Sequence, residues 1–225
     1  MSLKLLKMVA EGEHQRQDFK YCINDSRKIA RSMVAFANTD GGRLLLGIRD
    51  NGSVAGVRSD EEYYMAEAAA KLYSKPPIDF KTRQWTIEGK TVLEIEIPKS
   101  DEPNHQAQNE EGKWLIYIRK NDQNIVAPGI LLKVWEQQKN PKGVHIRFTD
   151  DESKLLSLLG TSHFLSLNQI TRQLKLPRHK CERLLVKLIV IGTVGMEINE
   201  CGVKFFLRED LDESQKDTEN RIFPK

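Results

Sequence analysis

Ala35-Phe36-Ala37-Asn38-Thr39-Asp40-Gly41-Gly42-Arg43-Leu44-Leu45-Leu46-Gly47-Ile48-Arg49-Asp50-Asn51-Gly52 is the stretch on which the fold turns. Upstream of it, Asn24 or Asp25 can accept the free amide hydrogens that open a helix, and Ile29, Met33, Phe36 and Ala37 recur on one face. That spacing predicts a helix burying one stripe against something flat. Gly41-Gly42 supplies the positive-φ residues that end a helix and reverse the chain. Residues 44–48 are apolar without alternation, which predicts a strand covered on both faces. Asn51-Gly52 then reads as a type I′ hairpin turn.

Working outward, residues 60–73 predict a helix opened by acidic residues and stopped by Pro76-Pro77. Residues 78–87 and 91–97 predict a strand pair around Glu88-Gly89. The polar segment 99–113 reads as a long exposed loop, with Asn104, His105 and Gln106 available for ligand contacts. Residues 114–118 return to strand, 119–124 form a polar turn, and 128–137 have helical spacing through Ile130, Leu131, Val134 and Trp135. The fold class is α+β, with a mixed sheet packed against helices.

Composition sets outer limits. The chain has 225 residues, 39% hydrophobic and 30% charged, with a net charge of +3. That predicts a soluble protein of one or two domains, and a charge that permits nucleic-acid binding without requiring it. No secretory pattern opens the sequence and no apolar run is long enough to span a bilayer, so the expected compartment is the cytoplasm, with no membrane partner. Cys22, Cys181 and Cys201 lie too far apart in sequence for a paired disulfide or zinc spacing.

After the polar segment 139–148, read as a linker, residues 149–209 predict a winged helix-turn-helix. Thr149 or Asp150 caps a first helix with Leu155, Leu156, Leu158 and Leu159 inward, and Ser166 caps a second over 167–174. A third has Pro177 in its first turn and runs to about Ile191, with Cys181, Leu184, Leu185, Leu188 and Ile189 as its apolar set. Residues 194–198 and 203–207 form a β-wing. The second and third helices are cationic: Arg172, Lys175, Arg178, Lys180, Arg183 and Lys187 stand against Glu182 alone. In helix-turn-helix docking, the start of the third helix reaches base edges while neighbouring cations hold phosphate. Arg178, His179 and Lys180 are therefore the expected base readers or phosphate clamps, Arg183 and Lys187 extend the face, and Lys204 lies on the wing. Such a helix can equally be a solvated surface or a protein contact. Residues 210–225 read as a charged tail.

Glu13, Asp18-Phe19-Lys20, residues 35–42, Gly47-Ile48-Arg49-Asp50-Asn51-Gly52 with Gly56, and Tyr117-Ile118-Arg119 followed by a polar turn together resemble the Schlafen-type AlbA-like domain. An older usage labels this family a divergent AAA-type ATP-binding domain. The resemblance covers roughly the first 137 residues and sets a first domain of residues 1–138. It implies a nucleic-acid-associated domain in which Lys20, Arg43, Arg49 and Arg119 gather on strand ends as a shallow basic face.

The resemblance also implies a second chemistry. Relatives with a nuclease core cleave RNA with three carboxylates, whose counterparts here are Glu13, Asp18 and Asp50. Clustered carboxylates can hold magnesium or manganese, which activates water and offsets charge on a phosphodiester. Asp18 stands where the family usually has glutamate, and Arg49 beside Asp50 competes with a metal. The plainer reading makes the three carboxylates surface or turn groups paired with Lys20, Arg43 or Arg49. Gly41-Gly42 lacks the P-loop pattern and follows a helix instead of opening one, so ATP enters through the older label alone.

Three function classes follow. The leading one is a DNA-binding transcriptional regulator, a homodimer needing no cofactor. The second is a metal-dependent nuclease acting on RNA or single strands. The third is a nucleotide sensor or protein-interaction adaptor.

Overall fold

The computed structural model describes residues 3–57, 59–140, 148–199 and 201–208. The chain divides into two compact units, Met1–Ala127 and Pro128–Lys225. The expected linker lies largely outside the described residues, and the expected tail wholly so.

The first unit runs α1 (Leu3–Glu11), β1 (Gln17–Lys20), α2 (Ser26–Ala37), β2 (Gly42–Leu46), α3 (Glu61–Lys71), β3 (Ser74–Lys75), β4 (Lys81–Ile87), β5 (Lys90–Ile97), β6 (Gln106–Gln108), β7 (Trp114–Lys120) and β8 (Gln123–Val126). One sheet has the order β1-β2-β5-β4, with β1 and β2 parallel and the other pairs antiparallel. The other has the order β3-β6-β7-β8 and is antiparallel. This is the mixed α+β architecture expected for the domain.

Helix α2 is the centre of the unit. Asp25 caps it, its side chain accepting from the Arg27 amide. The predicted single stripe is exceeded: Ser32 through Ala37 are buried consecutively. The reason is that α2 packs on the first sheet through Leu44, Leu46, Ile95 and Ile97, and on the second through Ala107 and Tyr117. Strand β2 is covered on both faces, as its apolar run requires, because Leu45 turns the other way into a cluster with Leu5 and Met8 of α1. The sequence reading assigns no element to residues 3–11, so α1 is a structural finding.

The glycines divide their work. Gly41 takes φ +67° and its amide donates to the Phe36 carbonyl at 2.8 Å, closing the helix. Gly42 is not left-handed; an added Cβ there would lie 2.4 Å from the Phe36 ring. The Asn51-Gly52 turn forms with a geometry other than type I′. Only Gly52 is left-handed, its amide donates to the Arg49 carbonyl at 2.7 Å, and Asn51 Oδ1 accepts from the Ser53 amide at 3.0 Å. A three-residue loop with glycine in the left-handed position results. Both residues of Glu88-Gly89 have positive φ, +50° and +74°, so the two-residue turn of that kind joins β4 to β5.

The exposed loop predicted over 99–113 is corrected as well. It contains β6, with Ala107 and His105 buried. Asn38 fastens it: its Nδ2 donates to the carbonyls of His105 (2.8 Å) and Tyr117 (2.9 Å), and its Oδ1 accepts from the His105 amide at 3.0 Å. The backbone needs of an irregular segment are thereby met by one side chain.

The second unit runs α4 (Gly129–Gln138), α5 (Asp150–Thr161), β9 (Leu165–Ser166), α6 (Leu167–Leu174), α7 (Arg178–Val190), β10 (Val194–Asn199) and β11 (Gly202–Leu207), with sheet order β10-β11-β9. Helix α4, which the sequence assigns to a first domain ending at 138, groups with this unit because its buried Leu131, Val134 and Trp135 accompany packing on α7. Thr149 with Glu152, and Ser166 with Gln169, form capping boxes that start α5 and α6. Of the four leucines predicted inward on α5, Leu155 and Leu159 are buried, whereas Leu156 and Leu158 are half-exposed. The predicted apolar set of α7 is buried throughout.

Candidate nucleic-acid interface

The polar residues between α2 and β2 act as a clasp. Thr39 Oγ1 donates to the Ala35 carbonyl (2.8 Å) and accepts from the Arg119 amide (2.9 Å). Gln15 Nε2 donates to Asp40 Oδ2 and to the Arg119 carbonyl, each at 3.0 Å. These bonds tie β7 to α2 and to the segment before β1.

Arg119, predicted on a basic face, is buried at 1% exposure. Its guanidinium donates to the carbonyls of Asn121, His14 and Gln17 and to Asn124 Oδ1, and lies 5.0 Å from the Phe36 ring centre. Asp18 Oδ1 is 3.6 Å from its Nη2. A cation so enclosed organises the junction of β1, α2 and β7 and does not reach a ligand phosphate.

The carboxylate trio does not assemble. Asp18 is buried between Lys20 (2.9 Å) and Arg119. Glu13 lies beside Asp18, and its Oε1 accepts from the Phe19 amide at 2.8 Å. Burial, and then the hydrogen bond with Asp18, push the Glu13 carboxyl above the usual range. Asp50 is exposed in the turn beyond β2, and among the described residues no group of three His, Cys, Asp or Glu side chains is arranged to hold a metal ion. A carboxylate held by a guanidinium and an ammonium does not fit a divalent cation, so no hydrolytic step is derived from these residues.

The remaining basic residues of the first unit separate by strand polarity. In the parallel β1/β2 pair, Lys20 stands opposite Leu46 and Gln17 opposite Arg43. Lys20 and Arg49 therefore share the carboxyl end, where the Arg49 guanidinium lies 5.1 Å from the Tyr21 ring centre. Arg43 is at the other end, 4.0 Å from Glu94. There it joins a cleft of about 390 Å³ lined also by Lys4, Arg16, Lys81, Arg83 and Lys99.

In the second unit, α6 ends at Lys175, left-handed at φ +54°, and Leu176-Pro177 leads into α7. Arg178 and His179 open α7 exposed, Lys180 is half-buried, Arg183 is exposed one turn later and Lys187 half-buried in the last turn. Arg178 is engaged by Glu182 (3.2 Å) and Asn168 (2.9 Å), and Lys180 by Asp151. The Lys133 hydrogen bond, with Arg178 contributing, holds the Glu182 carboxyl below the usual range. Among the described residues Arg183 has no ion pair. Arg172 on α6 and Lys204 on β11 are exposed, Lys204 pairing in register with Glu197 and with Ser166.

Residues 13–128 match the family model described as Schlafen, AlbA_2, which is more than half of the chain. The chain belongs to the Schlafen AlbA_2 family. No curated protein matches this Schlafen AlbA_2 chain. Solved structures do, among them the DIP2311 protein of Corynebacterium diphtheriae, at 17% identity and TM-score 0.41 over 86% of this chain and 34% of that one. The N-terminal domain of a DNA helicase RecG-related protein of Nitrosomonas europaea is similar at 22% identity and TM-score 0.36, over 56% of this chain and 95% of that one. The chain thus spans about a third of the length of the first.

For this Schlafen AlbA_2 member, the residues missed from sequence are the cleft cations other than Arg43. The alternation Lys81-x-Arg83-x-Trp85 was their available signal, since period two puts all three on one face of a strand. Lys4, Arg16 and Lys99 join them only through tertiary packing. No helix among the described residues is long and apolar enough to cross a membrane.

Proposed function

We propose that this Schlafen AlbA_2 protein is a nucleic-acid-binding protein that contacts duplex DNA through its second unit, as a transcriptional regulator. The observation that carries the reading is the polar face of α7, where Arg178 and His179 are exposed directly after the α6–α7 turn and Arg183 is exposed one turn later. The element order helix, short strand, two helices and hairpin supports a winged helix-turn-helix, in which that helix enters the major groove and Lys204 approaches from the wing. Arg178 and Lys180 are partly occupied by carboxylates, but surface pairs of this kind contribute about 0–1 kcal/mol and exchange readily for phosphate. Recognition modules of this type read paired half-sites, so the active form is a homodimer. Lys20 and Arg49 of the first unit would add phosphate contacts.

The test is a salt-dependent titration against duplex DNA, with structured RNA in parallel. Arg178→Ala with Arg183→Ala should weaken duplex binding about tenfold or more and lower the salt slope by about 1 per phosphate-contacting cation removed. An unchanged affinity, or no duplex binding at low salt, would refute the reading, and a preference for RNA would redirect it.

A further inference from the structure

The first sheet has one face that α1 covers only in part. Register puts Lys81, Arg83 and Trp85 of β4 on that face, opposite Glu96, Glu94 and Val92 of β5, with Arg43 and Leu45 of β2 beyond them. Leu5 and Met8 of α1 seal the apolar half against Phe19, Leu45, Ile87 and Val92. The other half stays open as the cleft of about 390 Å³, floored by the strands and walled by Lys4, Arg16 and the 40–42 and 97–99 segments.

Its charge is unbalanced. Six cations, Lys4, Arg16, Arg43, Lys81, Arg83 and Lys99, line it against three carboxylates, Asp40, Glu94 and Glu96. Two of the three carboxylates are already engaged. Asp40 accepts from Gln15, and Glu94 accepts from Trp85 Nε1 at 2.8 Å with Arg43 4.0 Å away. Among the described residues Arg16 and Lys81 form no ion pair, and Lys4 and Arg83 rest against the Trp85 ring at 5.9 and 5.3 Å from its centre. Cations gathered in a concave site with low-dielectric walls focus a positive potential. The volume falls within the roughly 300–1,000 Å³ typical of small-ligand sites.

We infer that this cleft binds the phosphates of a nucleotide, either free or within a single strand, through Arg16, Arg43, Lys81 and Arg83. Arginine forks suit phosphate oxygens, and Arg16, Arg43 and Arg83 bring three of them to the same cleft. Polyphosphate of a free nucleotide and the backbone of a strand share this chemistry. The inference does not rest on the DNA reading of the second unit.

The experiment uses the full chain carrying Arg178→Ala and Arg183→Ala, so that strand binding by α7 is suppressed. A labelled short oligothymidylate, ATP and inorganic pyrophosphate are titrated at low salt. Arg16→Glu with Lys81→Glu, both on exposed side chains, is compared with the charge-matched pair Lys7→Glu with Lys28→Glu, which lies outside the cleft. The expected result is binding that pyrophosphate competes away, weakened about tenfold or more by the cleft pair and unaffected by the outside pair. ATP binding with a weaker oligonucleotide assigns a free nucleotide, and the reverse assigns a strand. Absence of binding by all three probes, or equal loss in both variant pairs, overturns the inference.

Discussion

Arg119 is the residue on which the first unit's interior depends. Its guanidinium meets four acceptors and Asp18 in a space with almost no solvent access, so removing it takes the buried guanidinium from beside the Asp18 carboxylate and the side-chain donor from the Asn121 carbonyl and Asn124 Oδ1. Arg119→Ala should therefore destabilise the protein by about 3–5 kcal/mol in urea unfolding, the range for breaking a buried pair from one side. Lysine is a poor replacement, since a point charge cannot reproduce a planar fork. Glu13 offers a pH readout of the same junction. Its carboxyl is held above the ordinary 4.5 by burial and by Asp18. The fold thus favours the protonated form, and stability present below the unfolded value is lost as pH rises through the folded one. Glu13→Gln keeps an acceptor for the Phe19 amide and an N–H toward Asp18. It should flatten the stability profile above pH 4.5, and an unchanged slope in unfolding midpoints against pH would refute that role.

At the scale of elements, the α2–β2 joint shows two adjacent glycines serving different purposes. Gly41 is needed for its left-handed backbone, and Gly42 for the approach of the Phe36 ring and of the Arg16 carbonyl, which would lie 2.9 Å from an added Cβ. Gly42→Ala should lower stability by about 1–3 kcal/mol through overpacking, read as a drop in the denaturation midpoint with unchanged m-value. The helix, strand and turn here were legible because each has a local cause: a cap, an apolar run, a glycine. The turn type at Asn51-Gly52 was not, because the loop closes at Arg49 and Ser53 and so holds three residues, a register set by how β2 continues past Leu46.

For the whole molecule, charge distribution matters more than the net +3. The second unit carries a run of cations along α7, where sequence spacing alone reveals the face. The first unit assembles its cleft from α1, Arg16, β2 with the two residues before it, β4, and the end of β5 with the two residues after it, positions up to 95 apart in sequence (4 to 99). No local pattern can announce such a set. Family membership, supported by residues 13–128, identifies the frame of the first unit.

The sequence by itself determined the α+β class, the order of most elements and the cationic helix α7, because caps, apolar periodicity and glycine positions act within a few residues. Tertiary structure alone decided the fate of the charged groups. Arg119 went inside because α2, β1 and β7 converge on it. Glu13 and Asp18 met while Asp50 stayed on an exposed turn, and the cleft lies on the part of the sheet face beside the cluster that α1 covers. Whether a charge is surface, staple or ligand contact depends on what distant strands bring beside it, and that is a property of packing.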